Sequence, residues 1–390
     1  MTQLRSGRII ASAILAMFLY GIIAALLGTL MPGFGFTPSQ SGRVAGAQAL
    51  GLVIASLAVG PFIDNKGKKP ALLLGLAFIA ISLVALATWG GFQLAMLWWF
   101  VEGMGGAIIL TAANALASDA GEDRRAITLN LLSLFFGLGG LATPALMNYL
   151  AAGNGKALCY IATLLCAITF AVHIATPMPP PTGVRGFKFS EARILLAKPS
   201  LWLLCAFMFL YVTCEVGIWN WLVLYLKTRN ISQSQALNIL SFGFALGLLI
   251  GRVIVCRILV KVPASIVTLG AAGAMAVTTF LMLKTTAPGL AGIVVFCVGI
   301  AMAPVFPTTL AMVADSSPRS TTAMGIVITF GFIGLAFSSP LIGTIAGGDP
   351  IRLKTGLLVL PAASLMMILV NLALRPLLAQ AHERHALVEI

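Results

Sequence analysis

Long runs of apolar residues dominate the chain, and short clusters of charged, glycine and proline residues separate them. A helix needs about 20 apolar residues to cross the hydrocarbon core of a bilayer. The pattern therefore predicts twelve membrane-spanning helices, at residues 9–32, 40–63, 70–89, 92–117, 127–151, 156–176, 200–226, 235–260, 263–284, 288–313, 322–346 and 353–378. Twelve such helices use about 240 residues, which leaves short loops and no sizeable soluble domain.

One polar stretch, Pro177 to Lys198, is longer than the other loops and begins with several prolines. Proline-rich polar stretches between apolar runs mark loops and linkers. We therefore expect an N-terminal six-helix half at 1–176, a cytoplasmic linker at 177–199, and a C-terminal six-helix half with a short cytoplasmic tail at 200–390. The predicted fold class is an all-α membrane protein with two six-helix halves.

The composition is that of a membrane protein and excludes an ordinary cytosolic enzyme. Hydrophobic residues make up 59% of the 390 residues and charged residues 9%, against about 25% charged residues in soluble domains. The six cysteines fall in apolar runs without CxxC spacing, which indicates neither a metal site nor a disulfide framework. No GxxxxGKS/T motif is present, so ATP is not the expected energy source. We expect no enzyme activity, no cofactor and no metal.

The net charge of +13 reflects an uneven distribution of Lys and Arg between the two sides of the membrane. With the N-terminus inside, 17 of the 24 basic residues fall on the cytoplasmic side and 7 outside. Such an excess on cytoplasmic loops sets the orientation of membrane proteins. We therefore expect a multi-pass protein of the inner (plasma) membrane with both termini cytoplasmic, and no nucleic-acid partner.

Several short matches between the two sets of helices indicate an internal repeat. Two constant offsets relate them, 191 residues early in each half and 196 later. The matches at offset 191 are Phe18-Leu19-Tyr20 with Phe209-Leu210-Tyr211 and Gly60 with Gly251; those at offset 196 are Gly103 with Gly299, Asp119 with Asp315 and Pro144 with Pro340. Two six-helix halves in parallel arrangement are one of the repeat patterns of secondary transporters.

The loop after the second predicted helix carries Gly60, Asp64, Gly67, Lys68 and Lys69. Their spacing resembles the loop signature of the major facilitator superfamily between helices 2 and 3, and all signature positions match. The resemblance implies a gating role, in which the Asp holds a neighbouring helix N-terminus and the basic residues complete a charge cluster that stabilises the outward-open state. A carboxylate at a helix N-terminus is favoured by about 0.3–1 kcal/mol.

Two further segments resemble the fucose permease group of that superfamily, which carries sugars. They are Phe209 to Leu222, which contains Glu215 and two tryptophans, and Gly103-Met104-Gly105 followed by Thr111-Ala112-Ala113-Asn114. The permeases carry an acid where this chain has Leu110, and another near Leu27 and Gly28. Their proton-coupling chemistry therefore does not transfer directly to this chain.

Predicted helix 7 carries the strongest candidates for a binding site. Tyr211, Glu215 and Trp219 follow the spacing i, i+4, i+8 and share one face of the helix, with Asn220 and Trp221 just beyond. A carboxylate and an amide can hydrogen-bond hydroxyl groups, while an indole offers an apolar face. These residues suit a polyhydroxyl ligand. The alternatives are an interfacial tryptophan belt and, for Glu215, a hydrogen bond between packed helices.

Glu102 in predicted helix 4 is the second acid well inside a span, and intramembrane acids are costly and usually functional. Glu215 and Glu102 are the two candidates for coupling transport to protons. Glu102 is equally well explained as the buried partner of another polar side chain. The amides of Gln48 in helix 2 and Asn114 in helix 4 complete the candidate binding residues, although amides also hydrogen-bond between packed helices.

The expected function is secondary transport of a neutral small polar solute, a sugar first, by alternating access. Anionic solutes are disfavoured because they need a desolvated cation, which midspan positions of several helices lack. The alternatives are efflux of hydrophobic compounds or drugs, and a membrane sensor that transports nothing. The expected partners are the solute, the lipid bilayer and, if transport is coupled, protons. We expect a monomer.

Overall fold

The computed structural model describes residues 3–88, 90–120, 125–178, 180, 197–316 and 320–388, and every regular element among them is helical. Twelve helices are long and apolar enough to cross a membrane, as the sequence predicts. We number them α1 (Gly7–Gly33), α2 (Pro38–Lys66), α3 (Lys68–Thr88), α4 (Phe92–Ala117), α5 (Leu131–Leu150), α6 (Gly155–Ala175), α7 (Pro199–Thr228), α8 (Gln233–Val255), α9 (Ala264–Lys284), α10 (Pro288–Val313), α11 (Ala323–Ala346) and α12 (Pro350–Leu377).

Short polar side chains fix the beginnings of α2 and α8. The Thr37 hydroxyl accepts a hydrogen bond from the Gln40 backbone N–H, and the Gln40 side chain accepts one from the Thr37 backbone N–H. Ser232 and Gln235 form the same reciprocal pair before α8. These capping boxes satisfy backbone donors that a helix start leaves free.

Five of the twelve helices are interrupted. α1 breaks after Ala24, α10 breaks between Met302 and Val305, and α12 breaks between Leu357 and Val359. α5 ends in a π-helical segment at Leu146–Leu150, and α8 contains another at Ile239–Ala245. π-helical turns are rare and occur frequently at functional sites.

The chain divides into two compact units. Unit 1 comprises Met1–Arg185 together with Asn220–Ser241, and unit 2 comprises Gly186–Trp219 together with Phe242–Ile390. The end of α7 and the beginning of α8 therefore belong to the body built by the first six helices. Most of the predicted linker 177–199 lies outside the described residues, so its boundaries stay a prediction.

Glycines allow two helix pairs to cross at backbone contact. In unit 1, a Cβ on Gly51 or on Gly103 would clash with a carbonyl oxygen of the facing helix, where α2 crosses α4. In unit 2, Gly247 and Gly299 do the same where α8 crosses α10. Each glycine of the first crossing precedes its counterpart by 196 residues, which confirms the predicted match of Gly103 with Gly299.

The crossing of α1 with α5 has a counterpart in α7 and α11. A Cβ on Gly139 would clash with the carbonyl oxygen of Phe18, and a Cβ on Gly334 would clash with that of Phe209. The two phenylalanines are 191 residues apart, as the repeat predicts for the first helix of each half. The repeat is therefore visible in the packing inside each unit, where small residues let backbones approach closely.

One predicted match of the repeat is wrong. Gly60 has open space where a Cβ would stand, whereas a Cβ on Gly251 would lie 2.6 Å from the Cβ of Ala303. The offset of 196 already applies in α2 and α8, so the counterpart of Gly251 is Ala55. The change of offset lies in the connection before α2, because connecting segments tolerate insertions. The side chains of Asp119 and Asp315 lie outside the described part of the chain.

Candidate functional site

Tyr211, Glu215 and Trp219 form one face of α7, which we call the helix-7 face, and all three belong to unit 2. Tyr211 is wholly buried, while Glu215 and Trp219 are half-buried. The Tyr211 hydroxyl is buried and lies near the Glu215 carboxylate, one turn further along the helix, with which it interacts. The predicted face thus exists, with an acid flanked by an aromatic side chain one turn away on each side.

An aromatic contact orients Trp219. Its ring meets Phe244 of α8 edge-on, with the ring centroids 5.2 Å apart and an angle of 75° between the planes. Aromatic pairs favour this T-shaped geometry. The indole is therefore held in place while part of its surface stays accessible for a ligand.

The helix-7 face has a charged neighbour that sequence reasoning missed. Arg252 of α8 also lies within electrostatic range of Tyr211. Arg252 stands in the last turn of α8. Gly251, one residue earlier, packs against α10 inside unit 2. That glycine is the sequence signal that could have indicated the buried position of this part of α8.

Asn220 and Trp221 lie beyond the boundary between the two units. Asn220 is 6% exposed and belongs to unit 1. Trp221 is completely buried, which argues against a place in an interfacial tryptophan belt, where one end of the ring is in contact with water. Both residues therefore belong to unit 1, and both side chains are buried there.

In unit 1, Gln48 of α2 and Glu102 of α4 form a hydrogen bond. The Gln48 Nε2 donates to Glu102 Oε2 over 2.7 Å, and Glu102 is 1% exposed. Tyr20 of α1 lies within electrostatic range of Glu102, and its ring lies against Gly106 of α4. Three helices thus enclose this carboxyl group, as the hypothesis of a buried polar partner expects.

Asn114 does not join the Gln48–Glu102 pair. Its Nδ2 donates to the Leu110 backbone oxygen, one turn earlier on α4, over 2.8 Å. The side chain is half-buried, and its Oδ1 is the group left for another partner. The structure thus brings together two of the three candidate residues of the first half.

The signature loop, residues 60–69, ends α2 and begins α3. Gly67 has φ +93°, a conformation that favours glycine, and its N–H bonds to the Ile63 carbonyl over 2.8 Å. Asp64 is half-buried in the last turn of α2, and Lys68 is buried. The glycine at position 67 is therefore required by the turn itself, whatever else the loop does.

Lys69 contacts a part of unit 1 that the sequence did not indicate. Its Nζ donates to the backbone oxygens of Ile174, over 2.5 Å, and Thr176, over 3.2 Å, at the end of α6. The last carbonyls of a helix lack partners inside the helix, and a cation there is favourable. Lys69 thus holds the signature loop onto the end of α6.

Among the described residues, no group of three or more His, Cys, Asp and Glu side chains is arranged to hold a metal ion. His173 in α6 is buried, and its Nδ1 pairs with the Thr169 carbonyl over 2.7 Å within the same helix.

Comparison with protein families gives one match over nearly the whole chain: residues 9–379 match the model of the Major Facilitator Superfamily. Among curated proteins, the tetracycline resistance protein, class G, of Vibrio anguillarum is 28% identical over 170 residues, 41% of this chain and 43% of that protein. The quinolone resistance protein NorA of Staphylococcus aureus is 24% identical over 177 residues, 45% and 46% of the two chains. The matched stretch spans less than half the length of each of these relatives.

Solved structures share the fold at low sequence identity. The nucleoside transporter NupG, in a D323A mutant, has a TM-score of 0.81 at 14% identity, covering 95% of this chain and 99% of that one. The E. coli fucose:proton symporter FucP, in an N162A mutant, has a TM-score of 0.64 at 16% identity, covering 94% and 98%. A bacterial homolog of the human lysosomal transporter Spinster has a TM-score of 0.73 at 16% identity, covering 98% of both chains.

Proposed function

Because this chain belongs to the Major Facilitator Superfamily, we propose that it is a secondary transporter that moves a small neutral polar solute, a sugar first, by alternating access. Parallel six-helix halves that rock around a midplane site are the general mechanism of such proteins. The observation that carries the choice of solute is the half-buried Glu215 between Tyr211 and Trp219. An acid inside a span is costly unless it has a use.

The chemistry of the helix-7 face supports a solute with several hydroxyl groups. A carboxylate accepts hydrogen bonds from hydroxyls, and the Tyr211 hydroxyl beside Glu215 can donate or accept one. The indole of Trp219, fixed against Phe244, offers an apolar surface to a sugar ring. Two proteins with this fold are named for the transport of nucleosides and of fucose, and both kinds of solute carry hydroxyl groups. Asn220, Asn114 and Gln48 remain proposed ligands for other steps of the cycle.

We favour facilitated passage over proton coupling. Glu102 already has a hydrogen-bond partner in Gln48 and is enclosed by three helices, which gives it a structural role without proton transfer. The fucose permease group also carries acids at two positions where this chain has none, at Leu110 and near Leu27. In this proposal Glu215 binds the solute, and Glu102 stabilises the first half.

The remaining parts of the proposal concern the gate and the membrane. Gly60, Asp64, Gly67 and Lys68 of the signature loop take part in gating, and Lys69 anchors that loop to α6. The protein lies in the inner (plasma) membrane as a monomer with both termini cytoplasmic. The distribution of basic residues supports this orientation.

The test is a counterflow assay with purified protein in proteoliposomes, using labelled sugars and nucleosides with the proton gradient collapsed. We expect exchange to continue, and Glu215→Gln to raise the half-saturation concentration at least about fivefold, since a bond to a charged group is worth about 1.5–3 kcal/mol. Trp219→Ala should weaken binding as well. The matched control is Asp349→Asn, which changes an exposed acid in the turn before α12. Wild-type affinity in both helix-7 variants rules out this site.

A second candidate is efflux of hydrophobic compounds. It is favoured by the names of the two curated relatives, both of which are resistance proteins. Competition separates the two: if lipophilic dyes displace a bound ligand and sugars do not, efflux replaces sugar transport as the proposal. If no compound is exchanged at all, a sensor is the remaining interpretation.

A further inference from the structure

Helix α10 is broken well inside its span. Its first part ends at Met302 and its second begins at Val305, while the span runs over Pro288–Val313. The equivalent helix of the first half, α4, is continuous over Phe92–Ala120. The repeat itself therefore does not require a break. Backbone groups that a break frees inside a membrane need other partners, because the bilayer core contains no water.

Two prolines leave the break with more hydrogen-bond acceptors than donors. Pro304 has no N–H, so the Ile300 carbonyl lacks the donor that a helix supplies four residues later. Pro307 leaves the Ala303 carbonyl without its helical donor in the same way. A break without prolines frees as many N–H groups as carbonyls. This one frees additional carbonyl oxygens, which need a donor or a cation from elsewhere.

The hydroxyl of Thr308, in the first turn after the break, also has no hydrogen-bond partner among the described residues. Thr308 is completely buried. Every other buried threonine in the described spans donates its hydroxyl to the carbonyl one turn earlier, as Thr29 does after the break in α1 and Thr309 does in α10. Threonines in helices commonly form this bond. The Thr308 oxygen is therefore left available to a ligand outside its own helix.

The freed groups belong to one buried part of unit 2. Ile300, Pro304 and Thr308 follow the spacing i, i+4, i+8, which places residues on one face of a helix. Gly251 of α8 packs against the break, since a Cβ there would lie 3.1 Å from the Ile300 oxygen and 2.6 Å from the Ala303 Cβ. All of these residues belong to unit 2. The oxygens are thus enclosed by protein.

We propose that the break in α10 binds a sodium ion through the carbonyl oxygens of Ile300 and Ala303 and the Oγ1 of Thr308. In secondary transporters with discontinuous helices, unwound carbonyls and the C-terminal ends of half-helices coordinate sodium. The first part of α10 ends at this point, and the partial negative charge of a helix C-terminus favours a cation. The site goes beyond the proposed function and does not depend on which solute is carried.

The chemistry of these ligands selects a monovalent ion. Carbonyl and hydroxyl oxygens carry no net charge, whereas protein sites for calcium and magnesium use carboxylates. Arg252, next to Gly251 on α8, adds positive charge to this part of unit 2 and further disfavours a divalent ion. None of the three ligands titrates near neutral pH. Sodium binding should therefore not require the acids of the spans.

The first test measures the unfolding temperature of the purified protein in detergent, in equal concentrations of sodium chloride and choline chloride. A ligand that binds only the folded state stabilises it by mass action, so sodium should raise this temperature by at least about 2 °C and the rise should saturate. Thr308→Val replaces the hydroxyl by a methyl group and should abolish the rise. The matched control, Thr309→Val, should keep it, because that hydroxyl bonds within its own helix.

A second variant tests the carbonyls and does not weaken the helix. Pro304→Ala supplies an N–H that can donate to the Ile300 carbonyl, so the unfolding temperature in choline should stay the same or rise. The concentration of sodium needed for half of its effect should increase at least about fivefold, because one ligand is lost. The matched control is Pro288→Ala at the start of α10, where a proline removes no helical hydrogen bond.

Three outcomes would overturn the site. Sodium could leave the wild type unchanged relative to choline, in which case a water molecule or the Arg252 side chain supplies the missing donor. Thr308→Val or Pro304→Ala could respond as fully as the wild type. Potassium could reproduce the whole effect, which would show a general effect of salt. Because the assay contains no solute, a failure of the proposed sugar transport leaves its result unaffected.

Discussion

Two acids, Glu102 and Glu215, stand well inside the described spans, and their surroundings differ. Glu102 is enclosed by α1, α2 and α4 and accepts a hydrogen bond from Gln48, whereas Glu215 is half-buried and interacts with Tyr211 of its own helix. A carboxyl group that already has a protein partner stabilises packing. An accessible one is free to bind a solute. We therefore separate their roles, and single substitutions test the separation.

At Glu102 we expect the amide variant to be mild and truncation to be severe. Glu102→Gln keeps an acceptor oxygen for the Gln48 donor, so flux should stay within about twofold, less than about 0.5 kcal/mol in barrier height. Glu102→Ala leaves a buried amide without its partner, which costs about 1–3 kcal/mol of stability. Thermal unfolding in detergent and counterflow measure the two effects.

The opposite outcome at Glu102 would change the mechanism. Solute-dependent proton movement that is present in the wild type and disappears in Glu102→Gln would make Glu102 the coupling residue. The control is Gln48→Leu, which removes the hydrogen-bond donor but leaves the acid. If Gln48 only holds Glu102, Gln48→Leu lowers the unfolding temperature without changing the half-saturation concentration. A raised half-saturation concentration would instead support Gln48 as a ligand of the solute.

At the scale of the helices, the two glycine crossings should respond alike. Gly103→Ala puts a Cβ against the Gln48 carbonyl, and Gly299→Ala puts one against the Phe244 carbonyl. Overpacking of this kind costs about 1–3 kcal/mol. We expect both variants to lower the unfolding temperature, and Gly60→Ala, which faces open space, to leave it within error. A loss at Gly60 equal to that at Gly103 would contradict the packing described.

The contact of Lys69 with the end of α6 gives a second prediction at this scale. Lys69→Met removes the cation from the carbonyls of Ile174 and Thr176, which should cost about 0.3–1 kcal/mol. Lys66→Met, an exposed lysine of the same loop, is the matched control. Unfolding of the two variants in detergent compares them. Equal stability of the two would mean that the Lys69 contact contributes nothing.

The elements were predictable from sequence because their causes are local. Runs of apolar residues specify the twelve spans, and the i, i+4, i+8 spacing places Tyr211, Glu215 and Trp219 on one face. The pairing of Gln48 with Glu102 was not predictable, since it depends on how closely α2 and α4 cross. The π-helical segments of α5 and α8 were missed for the same reason. Their polar contacts arise between residues about 90 to 100 positions apart.

The repeat shows what can be established by comparing the two halves of the sequence with each other. The match of Phe18 with Phe209 is correct because both lie within one pair of equivalent helices. The match of Gly60 with Gly251 failed because the offset was carried across a connection that differs in length between the halves. Only the contacts of Gly51 and Gly247 with the facing helices show that the offset has already changed.

For the whole molecule, alternating access means that the signature loop acts on an equilibrium between two states. The signature loop, by its resemblance, stabilises the outward-open state. A group shifts a two-state equilibrium only through its different free energy in the two states. A change at Asp64 should therefore move the population away from the outward-open state.

The last prediction concerns Asp64→Asn in a protein that carries Ala151→Cys, at a position 4% exposed just after α5, as a reporter for a membrane-impermeant maleimide. The resemblance implies that the Asp64 carboxylate holds a helix N-terminus, a contact worth about 0.3–1 kcal/mol. Its loss should reduce the outward-open population, and with it the maleimide labelling rate, by about two- to fivefold. Asp349→Asn is the control. If Asp64→Asn leaves the labelling rate and the flux unchanged, the signature loop is no gate.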